Sequence, residues 1–287
     1  MKRIIACLAT LLLVLQAGAQ NNDNNKSLLW RISGKGMSKP SYLFGTIHMI
    51  KKDDYVWTDK MKESLAQTDA LCLEMDLSDP KLQMEIAQGF IDKSGKKLPD
   101  YFTPQQYALL AKYMKDTVGM SITLFEQMKP VAVEMMLITA GYKHKNTTSC
   151  EETLMTEAQQ EKKKIMGLEA AQEQLDVIES VPTDSVVKTI MDEIQNTSDN
   201  DSEYYEMVAT YKQQDLPKLY AEIATSKDMA DEMGPFLSDR NKKWIARMQK
   251  DMATSSVFFA VGAGHLWGDA GVINLLRKEG YRVEAVR

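Results

Sequence analysis

Strand-like sequence sits at the two ends of this 287-residue chain and helical sequence fills its middle. A strand cannot stand alone, so the two ends must meet in one sheet with the helical region laid across it. At the first end, Leu28-Leu29-Trp30-Arg31-Ile32 and Tyr42-Leu43-Phe44-Gly45-Thr46-Ile47 flank a connection rich in Gly34, Gly36 and Pro40, the pattern of a β-hairpin. At the other end, residues 255–261 read as a buried strand and residues 281–286 as a closing one. Between them, residues 70–77 and 164–168 read as strands. Helices are expected over 56–66, 80–91, 103–115, 130–142 and 151–161, and residues 183–249 are helical with breaks. The polar stretch 196–202 reads as a loop, and Asp269 as the cap of a last helix ended by Gly280. The expected class is α/β with an α+β tendency: a mixed central sheet from N- and C-terminal strands with a large helical middle region.

The first residues read as a processing signal. Lys2 and Arg3 precede an apolar run from Ile4 to Leu15, and Ala17-Gly18-Ala19 offers a cleavage site before Gln20. The run is shorter than the ~20 residues needed to span a bilayer, and no later segment supplies that length. The expected organisation is a signal peptide over 1–19, a disordered Asn-rich leader over 20–26 and one domain over 27–287. Loss of the signal leaves 33 Lys and Arg against 40 Asp and Glu, a net charge of −7 on an exported, periplasmic or extracellular protein. No long basic stripe is present, which argues against nucleic acid as a partner. Cys7 leaves with the signal. Cys72 and Cys150 remain as an even pair in an oxidising compartment, either one disulfide or two unrelated cysteines with one on a buried strand.

The three histidines are His48, His144 and His265. Two of them share one pattern at one kind of place: Gly45-Thr46-Ile47-His48 ends a strand, and Gly262-Ala263-Gly264-His265 follows one. Ligands of open α/β sheets bind beyond the carboxyl ends of the strands. Glycine at Gly45 and Gly262 would let the strand turn sharply or approach closely and present an imidazole there. Each histidine can alternatively be an ordinary hydrogen-bonded loop residue.

Carboxylates join them. Alternation over residues 70–77 puts Leu71, Leu73, Met75 and Leu77 on one face and Cys72, Glu74 and Asp76 on the other. A strand covered by helices on both faces is apolar on both, so Glu74 and Asp76 call for a partner cation, a metal or an edge position facing water. Glu169, at the exit of the strand ending in Leu168, is a second such carboxylate or simply an acid favoured at a helix start. Two imidazoles and a carboxylate suit a divalent transition metal with positions left open for water and substrate. Arg240 lies near a helix start, where the dipole disfavours a cation. It is a surface residue, or it has a specific partner and serves a substrate carboxylate or an oxyanion.

Taken together, Leu29-Trp30-Arg31-Ile32, the segment Ser41 to His48, the strand with Glu74, Gly167-Leu168-Glu169, Arg240-Asn241 and the segment Ala260 to Leu266 through Gly271 resemble the TraB/GumN family. That family includes the Tiki proteins and is similar in outline to the erythromycin-esterase and ChaN-like superfamily. The resemblance spans nearly the whole chain after the signal. It implies a TraB/GumN-like domain over 27–287, a metal and catalytic centre of His48, His265 and Glu74, and further positions at Glu169 and Arg240. His144 matches no position of the family and reads as a surface residue.

The leading expectation is an exported metal-dependent hydrolase, a peptidase. His48, His265 and a carboxylate would hold Mn²⁺, Co²⁺ or Zn²⁺, Glu74 or Glu169 would take a proton from water, and the partner would be a peptide or protein substrate. No His-Glu-x-x-His helix is present, which excludes a standard zincin and leaves other metal-dependent hydrolysis open. Two alternatives stand beside it. One is a non-enzymatic protein that sequesters a peptide or a haem or iron ligand, for which the chain's 19 methionines offer adaptable surface unless they fill the core. The other is a metal-free esterase with imidazole as base.

Overall fold

The computed structural model describes residues 25–143, 146–195, 197–226 and 233–287. The expected signal over 1–19, most of the leader and His144 lie outside the described residues. The chain opens with β1 (Leu29–Ser33), β2 (Ser41–Thr46), β3 (Met49–Lys51), α1 (Asp59–Ala66), β4 (Ala70–Leu73), α2 (Pro80–Gly89), α3 (Pro104–Tyr113) and α4 (Pro130–Lys143). It continues with β5 (Thr147–Ser149), α5 (Cys150–Gln160), β6 (Lys164–Gly167), α6 (Ala171–Glu179), α7 (Thr183–Gln195), α8 (Thr197–Lys212) and α9 (Leu216–Thr225). It closes with α10 (Asp239–Met252), β7 (Val257–Gly262), α11 (Val272–Lys278) and β8 (Arg282–Ala285). Among the described residues no helix is long and apolar enough to cross a membrane.

The two ends meet as their patterns require. Six strands form one sheet in the order β6-β4-β7-β2-β1-β8. β2, β7, β4 and β6 run parallel, while β1 is antiparallel to both its neighbours, so the sheet is mixed. β7, formed late in the chain, thus lies between two strands formed before residue 74. All residues of β2 and β4 are buried, as is β7 up to its last residue, which is the mark of strands covered on both faces. Phe44, Trp57 and Phe258 pack ring to ring, with centroids 5.6–6.1 Å apart. The helical middle carries a second core, in which Leu110, Met114, Val133, Leu137 and Ile190 join α3, α4 and α7. Helix starts follow their local chemistry: Thr103 accepts from the Gln106 N–H ahead of Pro104, and Asp79 accepts from the Lys81 N–H ahead of Pro80.

Four expectations need correction. The strand expected over 70–77 stops at Leu73, because the following residues leave the ladder and cross Gly167 so closely that a Cβ there would lie 2.7 Å from the Asp76 nitrogen. Glu74 is therefore a strand-exit residue and not the polar face of a strand. The polar stretch 196–202 is helical from Thr197, its Ser and Asp residues being the types favoured in a first helical turn. Asp269 is not a cap, since Gly271 holds that position without a side-chain bond. Cys72 and Cys150 are both free and buried. Their surroundings differ: Asp251 and Lys164 influence the Cys72 thiol, whereas Cys150 lies against Ile47 and Tyr211.

Because Phe258 is fully buried and bridges the rings of Phe44 and Trp57, Phe258→Ala should lower the free energy of unfolding by about 3–5 kcal/mol, as read by denaturant titration against the wild type.

Candidate active site

Parallel register sets the site. Thr46 pairs with Gly262, Leu73 with Ala260 and with Gly167, so four strands end at one edge of the sheet. His48 follows β2, Glu74 follows β4, Glu169 follows β6 and His265 follows β7, which brings residues from four distant parts of the chain to one crevice.

The two glycines of the shared pattern supply room rather than an unusual turn, since neither has a positive φ. A Cβ on Gly45 would lie 3.1 Å from the Leu266 side chain and 3.2 Å from Ala263 Cα. A Cβ on Gly262 would lie 3.3 Å from Glu74 Oε1, 3.6 Å from His265 Cδ2 and 4.0 Å from His48 Nε2. The space above Gly262 is therefore walled by two imidazoles and a carboxylate, and a side chain there would fill it.

Arg240, the second residue of α10, is buried beneath this space. Its Nη2 donates to Glu74 Oε2 at 2.5 Å, to Glu169 Oε2 at 2.9 Å and to Gln174 Oε1 at 2.8 Å. Its Nε donates to Glu169 Oε1 at 2.9 Å, and its Nη1 donates to the Phe236 carbonyl at 3.1 Å and faces His265 Nε2 at 3.2 Å. A guanidinium has five N–H groups, so all of them are engaged. Trp244, one helical turn after Arg240, donates from Nε1 to Glu169 Oε1 at 2.8 Å. Glu169 is thereby taken up at both oxygens by Arg240 and Trp244, and Arg240 has no N–H to spare for a substrate carboxylate or an oxyanion. The surface alternative for Arg240 and the helix-start alternative for Glu169 do not describe these buried positions.

Glu74 is the carboxylate that faces the space. Its Oε1 accepts the Gly262 N–H at 2.8 Å and lies 3.8 Å from His265 Nε2. Burial pushes the Glu74 carboxyl up, but the adjoining His265, Arg240 and His48 groups and the Gly262 N–H together outweigh it and hold the group below the usual carboxylate range. His265 is buried against the Trp244 ring, with centroids 4.4 Å apart, and burial keeps its imidazole neutral well below the ordinary histidine value. The Nδ1–H of His265 donates to Asn241 Oδ1 at 2.7 Å, leaving the Nε2 lone pair toward Glu74 and Arg240. His48 is different: its hydrogen bond to Glu151 raises its pKa to about 9. Glu151 is held below the usual carboxylate range because His48 and Thr46 outweigh the opposing effect of its burial.

These donors fit a divalent cation. An imidazole nitrogen and a carboxylate oxygen 3.8 Å apart can share one ion at ordinary bond lengths of about 2.0–2.2 Å, and the second imidazole borders the same space. Among the described residues no three such groups already stand at coordinating distances, so the side chains would have to draw together around the ion, and His48 would release a proton.

The strand-end pair of histidines, the buried arginine and the carboxylates coincide with a match to the model of the TraB/PrgY/gumN family over residues 28–285. The chain belongs to that family. Relatives of this TraB/PrgY/gumN member include metalloprotease TIKI1 of Danio rerio, 21% identical over 90% of the chain and 63% of the relative. Metalloprotease TIKI1 of Homo sapiens is 23% identical over 90% and 61%, and the metalloprotease TIKI homolog of Amphimedon queenslandica is 22% identical over 92% and 62%. The chain thus spans less than two thirds of the length of these curated relatives. No solved structure matches it.

The sequence reading puts His48, His265 and Glu169 at strand exits, Glu74 on the polar face of a strand and Arg240 near a helix start, and the structure brings all five together. The roles of four supporting residues escaped that reading, although Asn241 belongs to the Arg240-Asn241 pair that carries the family resemblance. Trp244 and Arg240 are four apart on one helix, a spacing that puts them on one face. Asn241 and Gln174 lie close in sequence to Arg240 and Glu169, but nothing marks their contacts. Glu151 reaches His48 only because the three-residue strands β3 and β5 pair, which no pattern announces.

Removing Arg240 strands two buried carboxylates, so Arg240→Ala should destabilise the fold by about 3–5 kcal/mol in denaturant titration. Arg240→Lys should recover only part of this, because an ammonium cannot serve Glu74, Glu169 and Gln174 in one planar fork.

Proposed function

We propose that this chain is a metal-dependent hydrolase that acts on peptides or proteins outside the cytoplasm. The observation that carries the reading is the convergence of His48, His265 and Glu74 on the space that Gly262 leaves open. The names of the TIKI relatives, metalloproteases, support the same reaction class. The signal-like residues 1–19 support export. Imidazole nitrogens with one carboxylate oxygen suit Mn²⁺, Co²⁺ or Zn²⁺ better than Ca²⁺ or Mg²⁺. When bound, such an ion supplies Lewis acidity that polarises a peptide carbonyl and lowers the pKa of water.

The chain's own groups have separable tasks in this reading. His265 enters neutral and fixed through Nδ1, so its Nε2 carries the lone pair that an ion would take over from the Arg240 N–H. His48 offers the second Nε2 from the solvent side. Glu74 is anionic, and its Oε1 is the carboxylate oxygen facing both imidazoles. It is therefore the group placed to hold the third ligand position or to accept a proton from water and pass it to the leaving amine. Glu169, engaged by Arg240 and Trp244, is not placed for proton transfer and instead holds the guanidinium that orients Glu74.

The test is cleavage of a peptide library by purified protein with Mn²⁺ or Co²⁺. Activity should vanish with chelator, return with added ion and fall to background in His48→Ala and His265→Ala. Turnover that survives both substitutions, or that is indifferent to chelator, would remove the metal reading. Tight peptide binding without turnover would instead select the sequestering alternative. Gly262→Ala should keep its melting temperature near that of the wild type, because the added methyl meets a carboxylate tip at 3.3 Å, yet lose ion binding because the methyl occupies the space.

A further inference from the structure

The two histidines of the shared pattern are held by different means. His265 is stacked on Trp244, its side chain is 5% exposed, and its Nδ1–H meets an Asn241 amide that is itself tied to the His265 and Ala270 carbonyls at 3.1 and 2.9 Å. His48 lies beyond the end of β2 with 70% of its side chain exposed. Among the described residues no aromatic ring pairs with it. What its ring does meet is Glu151, whose Oε1 accepts the Nδ1–H at 3.0 Å.

Glu151 is itself secured from both sides. Thr46, two residues before His48, donates to Glu151 Oε1 at 2.7 Å, and Ser149 donates to Oε2 at 3.3 Å. Its helix α5 begins where the Cys150 N–H donates to the His48 carbonyl at 3.4 Å, so backbone and side chain of the two segments are joined at one point. The carboxylate is only 13% exposed and stands on the Nδ1 side of the ring, which leaves Nε2 on the side of Gly262.

We propose that Glu151 is a positioning residue: its carboxylate oxygen fixes the orientation of the His48 ring and keeps the proton on Nδ1, so that Nε2 faces Glu74 and His265. Such carboxylate–histidine pairs set which nitrogen is free to ligate, and their loss typically weakens metal binding by about 10- to 100-fold. At His265 packing shares this task. At His48 an exposed ring would otherwise sample several rotamers, so the hydrogen bond carries it. The effect on ion binding rests on the reading of His48 as a ligand, whereas the effect on the ring does not.

The experiment compares Glu151→Ala, Glu151→Asp and Glu151→Gln in the full chain by two readouts. The first is the exchange-protected, downfield Nδ1–H resonance of His48 in ¹⁵N-histidine-labelled, metal-free protein, assigned by its loss in His48→Ala. The second is Co²⁺ affinity from the d–d absorption of the titrated protein. Glu151→Gln keeps an acceptor oxygen at the same reach and should retain the resonance and stay within a few-fold of wild-type affinity. Glu151→Asp keeps the charge but withdraws the oxygen by one methylene, and should lose the resonance and about tenfold or more in affinity, as should Glu151→Ala. The opposite order, with Asp retained and Gln lost, would show a role in charge and overturn the proposal. So would unchanged readouts in all three, or absence of the resonance in the wild type. If Ala fails to fold, the Asp and Gln variants decide. If the wild type binds no Co²⁺, the hydrolase reading fails and the resonance still decides the role of Glu151.

Discussion

The guanidinium of Arg240, buried between Glu74 and Glu169, is the interaction on which the arrangement of the site depends. A buried charge costs several kcal/mol of lost hydration unless it is paired and its remaining polar atoms are satisfied. Arg240 meets both conditions, with every N–H engaged. The same contacts explain why the residue is arginine: a planar fork reaches three side chains on two strand exits and a helix at once. Two carboxylates nevertheless face one guanidinium, and the second of them, Glu74, turns its other oxygen toward two imidazoles. The excess negative charge at that oxygen is what a divalent cation would answer.

Topology makes the cluster affordable to build from a dispersed sequence. β7 is inserted between β2 and β4, so the chain crosses from β2 to β4 over a strand that is made more than 180 residues later. Crevices of this kind, outside the carboxyl ends of parallel strands where order departs from sequence, are where open α/β sheets hold their ligands. The antiparallel β1 and β8 close the far side and carry none of the five clustered residues. The helical middle contributes in two different ways: α10 delivers Arg240, Asn241 and Trp244 from one face, while the second core in α3, α4 and α7 packs on its own.

How much of this can be read from the chain alone depends on the range over which each feature is encoded. The hairpin of Leu29 to Thr46, the capped starts at Asp79 and Thr103 and the meeting of the two ends follow from local patterning and burial. His48 and His265 stood out because a strand end and a glycine three residues earlier are local facts. Glu74 was found through an alternation that does not exist, since β4 stops one residue before it. What made it conspicuous was a carboxylate beside an apolar run, and that signal was sound although its geometry was not. The roles of Arg240 and Glu169 were open because a helix-start acid and a surface arginine have the same sequence as a buried pair. Glu151 was invisible because its partner is 103 residues away and is reached through two strands too short to show a period. Local periodicity reveals which elements exist; long-range register decides which side chains share a site.

The shared Gly-x-x-His pattern hides a division that only the tertiary environment creates. His265 is sealed, stacked and neutral, while Glu74 and Arg240 beside it are 13% and 6% exposed. His48, with the same local sequence, stands at the rim with its side chain 70% exposed and a carboxylate behind it. The space above Gly262 is therefore closed on the side of α10 and bordered by solvent on the side of His48. Any molecule entering the space from solvent would come from that open side, past His48, before it neared Glu74. In such an arrangement the buried half of the site supplies fixed charge and rigid orientation, and the exposed half must be held in place by its own hydrogen bonds. One pattern of residues thus serves two purposes because one histidine is placed by packing and the other by a single carboxylate.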